Sequence, residues 1–502
     1  MTDRPNVLLI FTDQQRADTI GALGNGVIRT PNLDRLCREG AAFTSCYSPS
    51  PVCVSARCSM MYGQYPCRSR CYENGSPMPT DGRPSFVDAL AAAGYRTHAI
   101  GKCHFTPDLY AMRGFQTRQT QEELVRSPDR DDYLKFLRAA GFGHICDPHG
   151  VRGEMYYVPQ VAQMPAERHP THWIGDQTVR FIEEQAPSAG SGRASADAPW
   201  FCFSSYTHPH PPFAPPNPWH KLYRAPLMPL PNVPADAEAL HTHINRHQNR
   251  YKYRDQGIDR NLLRNIKAHY YAIISFIDCQ VGRTLDALAR TGQLDRTLIL
   301  YTSDHGELLG DYHCFGKRSM HDAASRVPMI ARLPGRLAGG TVCGRPSSLV
   351  DVAATIAAAT GADMPAEQLD GEDLADVAAD RSGREMVFSQ HDQAGRATYM
   401  AVGSRWKYFY SAPDDREFLF DRVGDPLETR NRAGVRFCQE ARDRMKAALI
   451  GHLRAGGQTD AFEADDWRKY PRLTVPADPD AGLLVQDHPW ADTSIPGYTD
   501  VP

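Results

Sequence analysis

The chain has 502 residues, of which 41% are hydrophobic and 23% charged, with a formal net charge of −3. That length exceeds what one hydrophobic core usually supports, so two domains are expected. The near-neutral balance excludes a general nucleic-acid binder, which would carry a basic excess, and leaves any anionic ligand to locally placed cations.

The first residues lead into an apolar strand over 7–11, which is too short for the apolar core of a secretion signal, and no small-residue cleavage site follows. No apolar run reaches transmembrane length. These features predict a cytoplasmic protein with no membrane partner. Its 13 cysteines, an odd number, are then expected to be mostly reduced. The local group Cys53, Cys58, Cys67 and Cys71 contains no C-x-x-C pair and does not read as a zinc site.

A continuous apolar strand over 6–12 ends in Asp13. A helix over 85–93, closed by Gly94, precedes a strand over 95–100, and another strand covers 200–206. Leu263, Ile266, Tyr270, Ile273, Ile277, Val281, Leu285 and Leu288 recur at three- and four-residue steps, which predicts a long amphipathic helix. The apolar strand after it, over 297–302, runs to Asp304. Strand–helix–strand alternation implies a doubly wound, mostly parallel sheet with helices on both faces. The Pro-rich stretch from Pro209 to Pro234 reads as a long surface loop near the strand ends. Near residue 380 the rhythm changes to short strands over 385–389, 399–402, 407–410 and 417–420, then a helix over 437–455. The expected division is an α/β catalytic domain over 1–380, a small α+β domain over 381–455, and a Pro- and Asp-rich arm over 456–502. The arm is either wrapped or disordered and suggests a homo-oligomer.

In an open parallel sheet, ligands bind beyond the carboxyl ends of the strands. Asp13 and Asp304 would meet at that edge with His305 beside them. Two carboxylates and an imidazole suit a divalent cation such as Ca²⁺ or Mn²⁺, although each aspartate could instead cap the helix after its strand. A second group is Ser50-Pro51-Val52-Cys53-Val54-Ser55-Ala56-Arg57. Cys53 and Arg57 are one helical turn apart and share a face. A cysteine at a helix N-terminus beside a cation is activated; the alternative is a buried structural thiol.

The segment from Cys53 through Arg57 to Tyr62-Gly63-Gln64 resembles the sulfatase signature, in which Cys-x-Pro-x-Arg leads into a stretch ending in Thr-Gly. Pro5-Asn6-Val7 through Asp13, Thr30-Pro31-Asn32-Leu33-Asp34-Arg35-Leu36, Gly101-Lys102-Cys103-His104, Thr207-His208-Pro209-His210 and Ser303-Asp304-His305-Gly306 resemble further motifs of that family, in its order. So do Lys317, Arg326-Val327-Pro328, Phe418-Leu419-Phe420-Asp421 and Glu428-Thr429-Arg430-Asn431. The likeness spans roughly residues 5 to 455. With Asp13-Gln14, Asp304-His305 and the Tyr72-Glu73-Asn74 segment, it is closest to choline sulfatases and phosphonate monoester hydrolases of the alkaline phosphatase superfamily.

The resemblance implies an alkaline-phosphatase-like fold and a sulfuric ester hydrolase. Cys53 would be oxidised to formylglycine, whose hydrate carries two hydroxyls. One, bound to a single divalent metal, attacks sulfur; the other then expels sulfate. Asp13, Cys53, Asp304 and His305 would surround the metal, and Arg57 would orient the hydrate. Lys102 and Lys317 would bind the sulfate oxygens. His104 would assist removal of the hydrate proton, and His208 would protonate or stabilise the leaving alkoxide. Gln14, where many sulfatases have a second Asp, falls to the pocket rim or a weak metal contact. Asn74 matches a substrate-pocket position or serves the turn before Gly75. His210 and His220 read as structural or peripheral. The signature's proline is Ser55 here, and a formylglycine-generating enzyme would read Cys53, position 55 and Arg57. Three functions are carried forward: hydrolysis of small anionic sulfate esters, hydrolysis of phosphonate monoesters or phosphodiesters on the same scaffold, and non-catalytic binding.

Overall fold

The computed structural model describes residues 4–125, 127–152, 155–186, 198–252 and 259–477. Its first ten strands are β1 (Asn6–Thr12), β2 (Ala41–Phe43), β3 (Cys46–Tyr47), β4 (Arg96–Gly101), β5 (Thr117–Thr120), β6 (Trp200–Ser205), β7 (Thr297–Ser303), β8 (Met329–Arg332), β9 (Thr341–Cys343) and β10 (Ser347–Ser348). Eight of them form one sheet in the order β5-β4-β6-β1-β7-β8-β2-β9, while β3 and β10 pair separately. From β5 to β7 every pairing is parallel. β8 runs antiparallel to both β7 and β2, so the sheet is mixed but mostly parallel.

Every residue of β1 and β7 is buried, as expected for central strands covered on both faces. The two-residue pleat divides β1 between two cores. Val7, Leu9 and Phe11 face the side that carries the Cys53–Tyr62 and Phe86–Ala92 helices. Leu8 and Ile10 face the Pro170–Glu184 and Arg260–Arg290 helices. The last of these has 31 residues and starts where the Asp259 side chain accepts from the N–H groups of Asn261 and Leu262. No described helix is long and apolar enough to cross a membrane.

Four further strands, β11 (Val387–His391), β12 (Thr398–Val402), β13 (Trp406–Ser411) and β14 (Arg416–Asp421), form an antiparallel sheet in chain order. The Gln439–Ala455 helix packs on it through Met445, Leu449, Ile450 and Leu453. The start of the predicted arm wraps back onto this sheet. Trp467 stacks on Tyr399 and Tyr410 at 5.5 and 4.6 Å and donates to the Tyr408 hydroxyl at 2.6 Å. Residues 478–502 of the arm lie outside the described residues.

A buried cation ties the two sheets' regions together. Lys407 on β13 is fully buried and pairs with Asp322 at 2.7 Å and Glu428 at 2.6 Å. Burial alone would raise the Asp322 carboxyl, but Lys407 and Arg326 hold it well below the usual range. Lys407→Met should leave two carboxylates without their shared cation and destabilise the fold by about 3 kcal/mol or more. A denaturant midpoint equal to wild type would show that this bridge contributes nothing.

Candidate active site

The register of the central strands assembles the site. β1 and β7 pair in parallel up to Thr12↔Ser303, so the next residues, Asp13 and Asp304, leave the sheet side by side. β4 and β6 pair up to Gly101↔Ser205, so Lys102 and the Thr207-His208 segment emerge next to them. Only glycine fits at position 101: its φ is +89°, and a Cβ would lie 2.0 Å from the Ser205 carbonyl oxygen.

Cys53 is the first residue of the Cys53–Tyr62 helix and is fully buried. Its Sγ lies 2.8 Å from Lys317 Nζ, 3.3 Å from His305 Nε2 and 4.0 Å from Lys102 Nζ. Burial and Asp13 oppose ionisation of this thiol, but Lys102, Lys317 and His305 outweigh them and hold it well below its ordinary value. The helix start is fixed by Asn74, whose Oδ1 accepts from the Val54 N–H at 3.0 Å; its Nδ2 is buried and makes no hydrogen bond among the described residues. Ser55 donates to the Cys71 carbonyl at 2.5 Å, so its hydroxyl is spent on the scaffold.

One turn on, Arg57 lies across both aspartates. Its Nη2 is 3.2 Å from Asp13 Oδ2 and its Nε 3.2 Å from Asp304 Oδ2. Nη1 donates to the Lys102 carbonyl at 2.8 Å and Ser205 Oγ at 3.0 Å, and the guanidinium stands 4.9 Å over the Phe11 ring. Arg57 therefore orients the two carboxylates, a contact that sequence spacing did not indicate.

Asp13, Cys53, Asp304 and His305 each present a ligand atom within 4.8 Å of the others, all buried. Three observations fit a divalent cation among them. Burial and the charge of Asp13 push Asp304 up to about 6, a strain that a cation would relieve. His305 Nδ1 is 3.0 Å from the Gly306 carbonyl, which leaves Nε2, on the Cys53 and Asp304 side, as the nitrogen a cation could use. Gln14 Oε1 is buried and makes no hydrogen bond among the described residues. The Gln14 amide is turned by Glu307, a buried carboxylate that accepts from Gln14 Nε2, from Tyr157 at 3.0 Å and from the Leu309 and Gly316 N–H groups. Gln14 also holds a left-handed φ of 67°, backbone strain of the kind found at functional sites.

Lys102 Nζ is 2.7 Å from Asp13 Oδ2 and 2.5 Å from Glu123 Oε2. Burial would lower this ammonium, yet Asp13, Cys53 and Glu123 keep it well above its usual value and so charged. His208 is fully enclosed. Its Nδ1 lies 3.0 Å from Thr171 Oγ1, its Nε2 makes no hydrogen bond among the described residues, and burial pushes the ring down to about 4. His104, two residues beyond Lys102, has a φ of 55°; its N–H donates to Glu122 and its buried Nδ1 makes no hydrogen bond among the described residues.

One expectation is corrected. His210 is not peripheral: its Nε2 is 3.2 Å from Lys317 Nζ and 3.4 Å from Glu123 Oε1, inside the same polar cluster. Its place two residues after His208 was the available signal. Glu123 and Glu307 were missed as well. Glu307 stands three residues after Asp304, while Glu123 belongs to no recognisable motif.

The sulfatase family model matches residues 5–362, and the model for the N-sulphoglucosamine sulphohydrolase C-terminal region matches 310–454. An arylsulfatase of Clostridium perfringens is 28% identical over 483 residues, covering 91% of this chain and 96% of its own. A choline-sulfatase of Rhizobium meliloti is 30% identical over 444 residues, covering 86% and 83%. Among solved structures, the phosphonate monoester hydrolase of Agrobacterium radiobacter superposes with a TM-score of 0.76 at 26% identity, over 90% of this chain and 96% of that one. Cysteine, paired strand-end aspartates and flanking lysines thus sit in a chain matched along most of its length: it belongs to the sulfatase family, within the alkaline phosphatase superfamily, and is a sulfuric ester hydrolase.

Proposed function

We propose that this enzyme hydrolyses small sulfate monoesters at Cys53, with a divalent metal held by Asp13, Asp304, His305 and Gln14. The observation that carries this reading is the position of Cys53 Sγ, at a helix N-terminus, 2.8 Å from Lys317 Nζ and inside the cluster of potential ligands. Carboxylate and amide oxygens with one imidazole suit Ca²⁺ or Mn²⁺. When Cys53 is converted to formylglycine and the ion is bound, the two supply a nucleophile and a Lewis acid.

The chain's own residues do the rest. Lys317 and Lys102, 2.8 and 4.0 Å from Cys53 Sγ, would stabilise the ester's sulfate oxygens as charge builds on them. Arg57 fixes both aspartates, so their oxygens need not reorganise during reaction. His208, held by Thr171 at Nδ1, presents Nε2 to the leaving oxygen. His104 is assigned to the proton of the nucleophile, and the free Nδ2 of Asn74 to a substrate oxygen. Conversion belongs before folding, because Cys53 is fully buried in the folded chain; a formylglycine-generating enzyme would read the unfolded Cys53–Arg57 segment.

Glu307→Gln should weaken metal binding by about 10- to 100-fold, since it loosens the Gln14 amide. Calorimetric titration of the metal-stripped protein checks this, and an unchanged affinity would remove Gln14 from the ligand set.

The likeness to a phosphonate monoester hydrolase favours one second reading, hydrolysis of phosphonate monoesters or phosphodiesters. Aryl sulfate, aryl phosphonate monoester and phosphodiester assayed side by side decide between them. Highest kcat/KM on the sulfate supports the first reading; a clear preference for either phosphorus ester replaces it with the second.

A further inference from the structure

Glu123 has no part in the steps above, yet its carboxylate pairs with Lys102, one of the two lysines beside Cys53 Sγ, with 3% of the side chain exposed. Oε2 pairs with Lys102 Nζ at 2.5 Å, and Oε1 with Arg152 Nη2 at 2.5 Å. His210 Nε2 is 3.4 Å from Oε1 and 3.2 Å from Lys317 Nζ, which in turn reaches Cys53 Sγ. Both carboxylate oxygens are engaged, and Arg152 is itself stacked 5.1 Å over Tyr156, so the carboxylate is pinned against Lys102. Burial opposes its ionisation, but His210, Lys102 and Arg152 hold it well below the usual range, so it carries a full charge.

A buried carboxylate in an anion pocket costs desolvation and cancels part of the attraction for the ligand. What it changes selectively is the charge of the anion that fits. Lys102 and Lys317 attract any tetrahedral anion, a dianion about twice as strongly as a monoanion, and the Glu123 charge offsets part of that preference. A fixed negative charge paired with Lys102 repels a dianion about twice as strongly as a monoanion of the same shape. Rejecting one ligand by placed repulsion is a general route to specificity.

We propose that Glu123 is a specificity-determining residue that restricts the site to monoanionic esters, sulfate monoesters first among them, and turns away dianionic phosphate monoesters. This rests on the reading of the Cys53 site as an ester-hydrolysing centre. Glu123 acts through Lys102, His210 and the field it sets, with no contact to the reacting atoms required.

The test compares wild type with Glu123→Gln as metal-loaded, converted enzyme. It uses 4-nitrophenyl sulfate as the monoanion and 4-nitrophenyl phosphate, at a pH where it is a dianion. The phosphate-to-sulfate ratio of kcat/KM is expected to rise at least about tenfold in Glu123→Gln. The same change is expected in the ratio of phenyl phosphate to phenyl sulfate affinities, measured by calorimetry in a Cys53→Ala background where no turnover occurs. Should Glu123→Gln not fold, Glu123→Ala leaves room for water and gives the same comparison. An unmoved ratio, or an equal loss on both esters, would make Glu123 a structural counter-ion and overturn the proposal. So would a wild-type enzyme that takes the phosphate monoester as readily as the sulfate. If the wild type prefers a phosphonate monoester or a phosphodiester, the sulfate reading fails while the charge rule is still tested with that monoanionic ester as reference. If no ester is turned over, the affinity ratios alone decide.

Discussion

Cys53→Ala is expected to abolish turnover, lowering kcat by at least about 10⁴-fold, while fold and metal content stay close to wild type. The size of the effect follows from the site's geometry. Lys317, His305 and Lys102 all lie within reach of this one sulfur position, at 2.8, 3.3 and 4.0 Å, so the nucleophile assigned to the site is the residue they surround. The metal should persist because Asp13, Asp304, His305 and Gln14 remain. The scaffold should persist because the helix start is held by Asn74 and Ser55 rather than by the thiol. Kinetics on an aryl sulfate together with metal analysis of the purified variant check both halves. Residual activity near wild type would mean that another group attacks the ester.

The second large effect is expected at Asp304. Asp304→Ala should lose the bound metal and about 10³-fold or more in kcat/KM together. Asp304 lies at the centre of the polar cluster: it accepts from the Gln14 and His305 N–H groups and from Arg57 Nε. Removing it takes away a ligand and leaves Arg57 pointing at a vacated position. Metal content by mass spectrometry, read beside the rate, separates the two losses. A variant with little activity but full metal would assign Asp304 to orientation of Arg57; full activity without metal would end the metal assignment altogether.

These sites differ in how far the sequence disclosed them. Asp13 and Asp304 were legible because each follows a largely apolar strand, and in-register parallel pairing of such strands puts their next residues side by side. Cys53 and Arg57 were legible from one-turn spacing and from the resemblance to a family signature. The actual contact of Arg57, across both aspartates, was not, because it depends on how the helix packs against strand ends far away in sequence. Glu123 was invisible for a related reason. It sits in a loop after an edge strand, and only the fold brings Arg152, His210 and Lys102 around it. His210 was read as structural or peripheral because the Pro-rich stretch reads as a surface loop, whereas the start of that stretch folds inward and buries His210. In the fold, the central parallel strands were clear from apolar runs. The antiparallel β8 and the three-residue β2 and β9 carry too few residues for periodicity to show. The C-terminal strands were placed to within about two residues, the usual uncertainty of element ends.

The state of residue 53 decides more than any other observation. Ser55 lacks the fixed backbone angle of the proline that the signature has there, so the unfolded segment is less pre-shaped for conversion. Peptide mass spectrometry of the Cys53–Arg57 segment, on preparations of differing specific activity towards an aryl sulfate, measures this directly. The expected result is a species that has lost the sulfur and two hydrogens and gained one oxygen, in a fraction proportional to activity. A preparation carrying only the thiol that hydrolyses the sulfate as fast as a converted one would contradict the formylglycine mechanism and leave Cys53 as a thiolate nucleophile or ligand.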